Sequence, residues 1–300
     1  MINSCRPEKE PGLKLLTSKS LAFPSASAIE YSNGRLFIFG DDANYMLVLD
    51  TGYNTIDTIH YLRDSLLRIP KDRKPDIESC FIFTKENSSY LCALGSAATF
   101  LRKSIYTFPF DKLRQFSKTV YLDSTNTRAI KEWNIEGSAL MNEWIILSNR
   151  ANKTHTVNKL LLVSNTILKS DSREVFSINR HIDVDLSSVK GVAGISGLYY
   201  VKAKDLLLFT ASEEDTPNAI DDGIILGSYL GWIENFAKKI NDKTIVPDRI
   251  MTLSELSKEF LEQKVESVCV AQIDGKKMIL HLVADNDDGS SKIFKMRLVL

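Results

Sequence analysis

Five short segments of the chain pair an apolar residue with Glu or Ser ahead of an extended run, and a polar cluster follows each run. They are Ile29-Glu30 with Gly40-Asp41-Asp42, Ile77-Glu78 with Gly95-Ser96, and Ile135-Glu136 with Ser148-Asn149-Arg150. The last two are Ile195-Ser196 with Ser212-Glu213-Glu214-Asp215, and Val265-Glu266 with Asp285-Asn286-Asp287. In an antiparallel hairpin the residue that opens the first strand lies beside the residue that closes the second. Each Glu or Ser is thus expected next to its own cluster. Around one rim, these segments gather eleven carboxylates against one cation, Arg150. Like charges so crowded raise one another's pKa unless a cation neutralises them. Oxygen donors of Asp, Glu and Asn suit hard ions such as Ca²⁺ or Mg²⁺ rather than Zn²⁺. The competing expectation is structural, with each Glu accepting backbone N–H groups from a neighbouring unit. Glu136 is the foremost candidate for chemistry. Asn149 and Arg150 beside it are placed to bind and polarise an anionic or carbonyl substrate, so Glu136 and Arg150 form the expected catalytic pair. Glu30, Asp41, Asp42, Glu78, Glu213, Glu214, Asp215, Glu266 and Asp285 are the expected binding residues, with Asn44, His155, Asp221 and Asp222 joining from loops on the same face.

Other site motifs are missing. The chain has no phosphate-binding Gly-x-x-x-x-Gly-Lys-Ser/Thr loop, no Gly-x-Gly-x-x-Gly and no His-Glu-x-x-His. Gly194-Ile195-Ser196-Gly197 is one residue short of a nucleophile elbow and falls on the repeated position, which gives it a structural reading. The histidines (His60, His155, His181, His281) have no ligand spacing, and Asp285-x-Asp287-x-Gly289 reads as a hairpin turn, not an EF-hand loop. Cys80, Cys92 and Cys269 lie in apolar β-like stretches and are expected to be small buried hydrophobes. With 38 basic and 38 acidic residues, the chain has no net field to attract nucleic acid or an anionic membrane. No apolar run reaches the roughly 18 residues of a membrane-spanning helix. The segment Ile2-Asn3-Ser4-Cys5 is similar to the end of a bacterial lipoprotein signal without its apolar part. A cytoplasmic protein is expected, the alternative being a lipid-anchored or periplasmic one.

The repeat itself must position these side chains. Its Glu/Ser positions are 48, 58, 60 and 70 residues apart. Those periods suit blades of four antiparallel strands. Asn33-Gly34 and Asp274-Gly275, between apolar runs, are strong hairpin signals. The fifth unit runs out of chain after its third strand, while an apolar stretch from Leu13 to Thr17 precedes the first unit unassigned. The fold expected is all-β, a five-bladed β-propeller whose last blade is closed by the N-terminal strand. A flexible N-terminus over residues 1–11 and one propeller domain over 12–300 follow, as a monomer. The capping pattern Thr252-x-x-Glu255, with Leu253, Leu256, Phe260 and Leu261 on one face, predicts a helical insertion. The stretch from Gly223 to Ile240 reads either as a long strand or as a short strand and a helix. Arg63 to Lys74 is expected to be a solvated loop.

Three stretches resemble a bacterial propeller family of unknown function across nearly the whole chain. They are Pro24 to Glu30 with Phe39-Gly40-Asp41-Asp42, Ile135-Glu136-Gly137 with Leu147 to Arg150, and Ala211 to Thr216 with Asp222-Gly223. More loosely, Glu-Gly at an inner-strand start is similar to esterase-like phytase domains and gluconolactonase-type propellers. That likeness implies Glu136 and Asn149 as ligands of Ca or Mg. The expected function is metal-dependent hydrolysis of a lactone, ester or phosphoester, with Asp41, Glu214 or Asp285 as general base. The alternative is a non-catalytic propeller docking a small-molecule or protein ligand at the channel mouth.

Overall fold

Apolar runs broken by tight turns let each strand pair with the next within its blade. The computed structural model describes residues 12–121, 130–169, 176–214, 225–286 and 289–300. After β1 (Gly12–Leu21), the first blade is β2 (Ala26–Ser32), β3 (Arg35–Gly40), β4 (Tyr45–Asp50) and β5 (Thr55–His60). The second is β6 (Ile77–Lys85), β7 (Ser88–Gly95), β8 (Ser104–Pro109) and β9 (Ser117–Val120). The third is β10 (Ile135–Met141), β11 (Trp144–Asn149), β12 (Asn158–Ser164) and β13 (Ile178–Val184). The fourth takes β14 (Ala193–Val201), β15 (Leu206–Glu214), β16 (Ile225–Glu234) and, past the short β17 (Thr244–Ile245), β18 (Arg249–Thr252). In the fifth, β19 (Lys264–Asp274), β20 (Lys277–Asp285) and β21 (Ser291–Val299) are completed by β1. The fold is a five-bladed β-propeller.

The closure is antiparallel, with Leu13 opposite Leu298 and Ser18 opposite Phe294. It removes the unpaired edge that β21 would otherwise present. Innermost strands β2, β6, β10, β14 and β19 meet in a ring around the axis. Apolar cores fill the spaces between blades. Ile146 and Leu160 of the third pack with Ile195 and Phe209 of the fourth, and Leu208 and Trp232 pack with Leu280 of the fifth. A recurring polar joint sits where third strands begin: Asn158 Oδ1 accepts from Ile195 N at 2.8 Å, Ser228 Oγ from Val265 N at 3.0 Å, and Ser291 Oγ from Ala26 N at 2.8 Å. Each satisfies an amide at the start of the next blade's inner strand. Cys80, Cys92 and Cys269 are buried free thiols, and buried His281 meets the Tyr53 hydroxyl through Nδ1 at 2.9 Å.

Several local expectations are corrected. The fourth strand of the third blade is Ile178–Val184, and its pairing places Asn158 opposite Val184. The ambiguous stretch is a ten-residue strand, β16, followed by one helical turn, Phe236–Lys239. At Leu253–Leu256 the helix is also a single turn, and the Thr252 side chain makes no cap hydrogen bond. Leu253 and Phe260 are buried, but Leu261 is exposed. The loop between β5 and β6 is largely exposed, as expected, but it is anchored through buried Ile69 and Lys74. Ile69 N donates to Asp42 O at 2.8 Å, and Ala43 bridges Arg68, so the loop folds back onto the channel.

Candidate functional site at the channel mouth

Near its start each innermost strand carries a β-bulge, where two residues oppose one and the extra side chain is re-aimed. The bulged residues are Ser27, Glu78, Glu136, Ser196 and Glu266. The repeat is therefore physical, but its first member is Ser27. Glu30, expected in that role beside Asp41 and Asp42, lies opposite Phe37 near the hairpin turn. It lines a cavity at the other end of the channel. The two bulged serines join blades: Ser27 Oγ donates to Ile77 O, and Ser196 Oγ to Val265 O at 2.7 Å. At the bulged glutamates a charged network begins.

Glu136 Oε1 accepts from Asn134 Nδ2 at 2.7 Å, and its Oε2 faces Arg150 Nη1 at 3.4 Å. Arg150 Nη2 donates to Ser212 Oγ at 2.8 Å and reaches Glu214 Oε1 at 3.2 Å. Lys264 Nζ then joins Glu214 at 2.8 Å to Glu266 at 3.0 Å. The chain of charges crosses three blades. Gly194 makes the crossing possible, since a Cβ there would sit 2.4 Å from Arg150 Cγ. Gly197 has the neighbouring role, with a Cβ falling 2.6 Å from Glu266 O. Close packing thus accounts for Gly-Ile-Ser-Gly. Asn149, implied as a metal ligand beside Glu136, is turned to the backbone: Oδ1 accepts from Asn134 N at 2.9 Å and Nδ2 donates to Glu132 O at 3.2 Å. Arg150, expected to face substrate, is engaged by two carboxylates and a hydroxyl.

In the first two blades Asp41 and Asp76 share Lys74, whose Nζ lies 2.8 Å from Asp76 Oδ1. Arg102 Nη1 meets Asp76 Oδ2 at 2.9 Å, Ser96 Oγ donates to the same oxygen, and Arg68 Nε meets Asp42 Oδ2 at 2.7 Å. Asp41, Asp76 and half-buried Glu78 can each offer an oxygen within 4.8 Å of the others. Asp285 stands opposite Lys264 and adds its charge near Arg68. Glu213 does not join. It follows the alternation of β15 to the opposite side from Glu214 and accepts from Tyr229 Oη at 3.4 Å. Asn44 holds the backbone of Asp64 and Leu66, while His155 lies 3.9 Å from Glu132. Asp215, Asp221, Asp222, Asp287 and Cys5 lie outside the described residues.

Among the described residues five cations accompany the mouth carboxylates, Arg68, Lys74, Arg102, Arg150 and Lys264, where the sequence pattern supplied one. Three of the residues missed stand two positions before a bulged glutamate: Asp76 before Glu78, Asn134 before Glu136, Lys264 before Glu266. The two-residue period of a strand was the available signal. Burial dominates the electrostatics. It pushes Glu78 well above the usual carboxylate range, with Glu136, Asp76 and Asp41 adding to the rise. Glu136, Asp41 and Glu266 are raised by burial too, against the pull of their cations. Glu214 moves the other way. Burial opposes its charge, but Arg150 and Lys264 outweigh that and hold it at about 2. Carboxyls shifted in opposite directions therefore stand side by side, and strongly perturbed groups are enriched at functional sites.

Solved structures share the architecture. Glutaminyl cyclase from Myxococcus xanthus matches with a TM-score of 0.53 at 10% identity over 96% of each chain. The tail fiber of Staphylococcus aureus phage P68 matches with a TM-score of 0.53 at 8% identity, over 97% of this chain and 53% of that one. At such identities the likeness is of fold alone. No curated protein sequence matches the chain. Among the described residues, no helix is long and apolar enough to cross a membrane. A family profile does match, over residues 22–298, and with the propeller and its repeat it places the chain in DUF6929, a family of unknown function.

Proposed function

We propose that the channel mouth is a divalent-cation site, Asp41–Asp76–Glu78, in a propeller that binds a small polar ligand there. One observation carries this reading: three carboxylates can each offer an oxygen within 4.8 Å of the others. Asp41 Oδ1 is buried and has no hydrogen-bond partner, which fits an oxygen donor set awaiting a hard cation. Lys74 is the competitor, because its ammonium already joins Asp41 to Asp76. Ca²⁺ or Mg²⁺ would bring two charges in place of one, and the carboxyl of Glu78 would ionise beside it.

Hydrolysis is the second reading, favoured by Glu266. Burial, reinforced by Glu136 and Glu214, lifts its carboxyl to about 7, the range in which a general base works best. A bound cation would supply Lewis-acid polarisation of an ester, lactone or phosphoester oxygen. Arg150 would act by holding Glu136 and Glu214 in place.

Thermal melts in chelator and in millimolar Ca²⁺ or Mg²⁺ test the site. Stabilisation by mass action reaches about 2.7 kcal/mol at 100-fold excess over Kd. Glu78→Gln should remove that gain and leave the metal-free protein as stable as the parent or more so. Lys74→Met should enlarge it by removing the internal competitor. A parent indifferent to both ions ends the metal reading. Cation-dependent cleavage of a simple aryl ester that Glu266→Gln abolishes would establish hydrolysis.

A further inference from the structure

We infer that the opposite end of the channel is a separate site for a small primary ammonium, with the Glu30 carboxylate as its counter-ion. A cavity of about 130 Å³ opens there, its walls including Glu30, Tyr31, Phe81, Ser138 and Tyr199. Glu30 is 6% exposed, and its Oε1 accepts one bond, from Tyr31 N at 2.8 Å. Among the described residues no Lys, Arg or His pairs with it, unlike Asp41, Glu136, Glu214 and Glu266 at the mouth. Among the described residues nothing matches a charge on this carboxyl.

A second observation comes from the facing wall. Ser138 Oγ is buried, lines the same cavity and has no hydrogen-bond partner. A buried carboxyl and a buried hydroxyl without a protein partner are both costly, and a guest rich in N–H donors satisfies the two together. Aromatic walls add attraction for a cation. The volume is close to that of a protein cavity of about 150 Å³ that accommodates benzene, so the guest carries only a short hydrocarbon body. A divalent ion fits poorly, since such ions take six or more oxygens and Glu30 is not in the carboxylate group that could hold one. Nearby Cys80, Cys269 and Tyr199 are held neutral by burial. Burial also lifts Glu30 to about 8, so near neutral pH the empty site holds a proton that an entering ammonium would displace.

The probe is n-butylammonium, with n-butanol as its uncharged isostere, each titrated by calorimetry and NMR into the full chain at pH 9, where the Glu30 carboxyl is ionised and the amine still protonated. Saturable butylammonium binding at least tenfold tighter than butanol is expected. Glu30→Gln should weaken it tenfold or more, and Ser138→Val, which removes the hydroxyl acceptor and narrows the cavity, should weaken it further. No saturable binding, or equal affinity for the two probes, overturns the inference on the parent protein alone. Chelator and Glu78→Gln should leave butylammonium binding unchanged, while Glu30→Gln should leave the Ca²⁺ response unchanged. Failure at either end of the channel is thereby separable from failure at the other.

Discussion

Arg150 leaves the third blade and places Nη2 3.2 Å from Oε1 of Glu214 in the fourth. Both side chains are buried, and on the same guanidinium Nη1 stands 3.4 Å from Glu136. The pair is an inter-blade clasp in a site that water reaches poorly. Removing one partner of a buried ion pair costs about 3–5 kcal/mol, because the other charge is left uncompensated. Arg150→Met is expected to fall in that range by urea denaturation. A loss below about 1 kcal/mol would equate the clasp with an ordinary surface pair.

Glu266 gives the fold a pH dependence whose sign is fixed by its shift. Burial holds it at about 7 in the folded protein against 4.5 for an ordinary glutamate. Between those values the folded protein keeps a proton that the unfolded chain has released, so stability falls as pH rises through the window. Glu266→Gln removes that contribution. Its urea midpoint relative to the parent should rise between pH 5 and pH 8. Glu214 has the opposite sign: its stabilisation is present above pH 4.5 and is lost as pH falls toward 2. A variant that tracks the parent in parallel across pH 5–8 would refute the assignment to Glu266.

The closing strand can be tested by removing it. Deletion of residues 1–21 strips β1 from β21, uncovers an edge and exposes the partners of buried Leu13 and Leu21. At about 1.5–3 kcal/mol per buried leucine, a loss of roughly 3–6 kcal/mol is expected before backbone pairing is counted. An unchanged melting midpoint would mean that the ring does not depend on this strand.

The blades were legible because strand alternation and hairpin turns are local. Asn33 and Gly34 both take positive φ, the conformation that a two-residue hairpin of this type requires, and that preference is written in the residues themselves. Closure was legible from chain arithmetic, a surplus strand at one end and a missing one at the other. Glu78, Glu136 and Glu266 were found because bulged positions repeat once per blade.

Where local cues gave out, the tertiary structure decided. Glu30 imitates the repeat in sequence but stands three residues beyond the bulge, and only the register sends it to the far end of the channel. A short displacement along an inner strand changes which mouth a side chain serves. The cations were hidden for a different reason. Arg68 and Lys74 sit in a loop whose composition suits solvent, Arg102 carries no repeat signature, and Lys264 is marked only by its place two residues before Glu266. Their partners come from other strands and blades, so the pairing depends on three-dimensional approach. By itself the sequence determined the ring and its tight hairpin turns. Folding decided the charge balance at the mouth, because burial and distance set electrostatic energy, and neither is a property of sequence order.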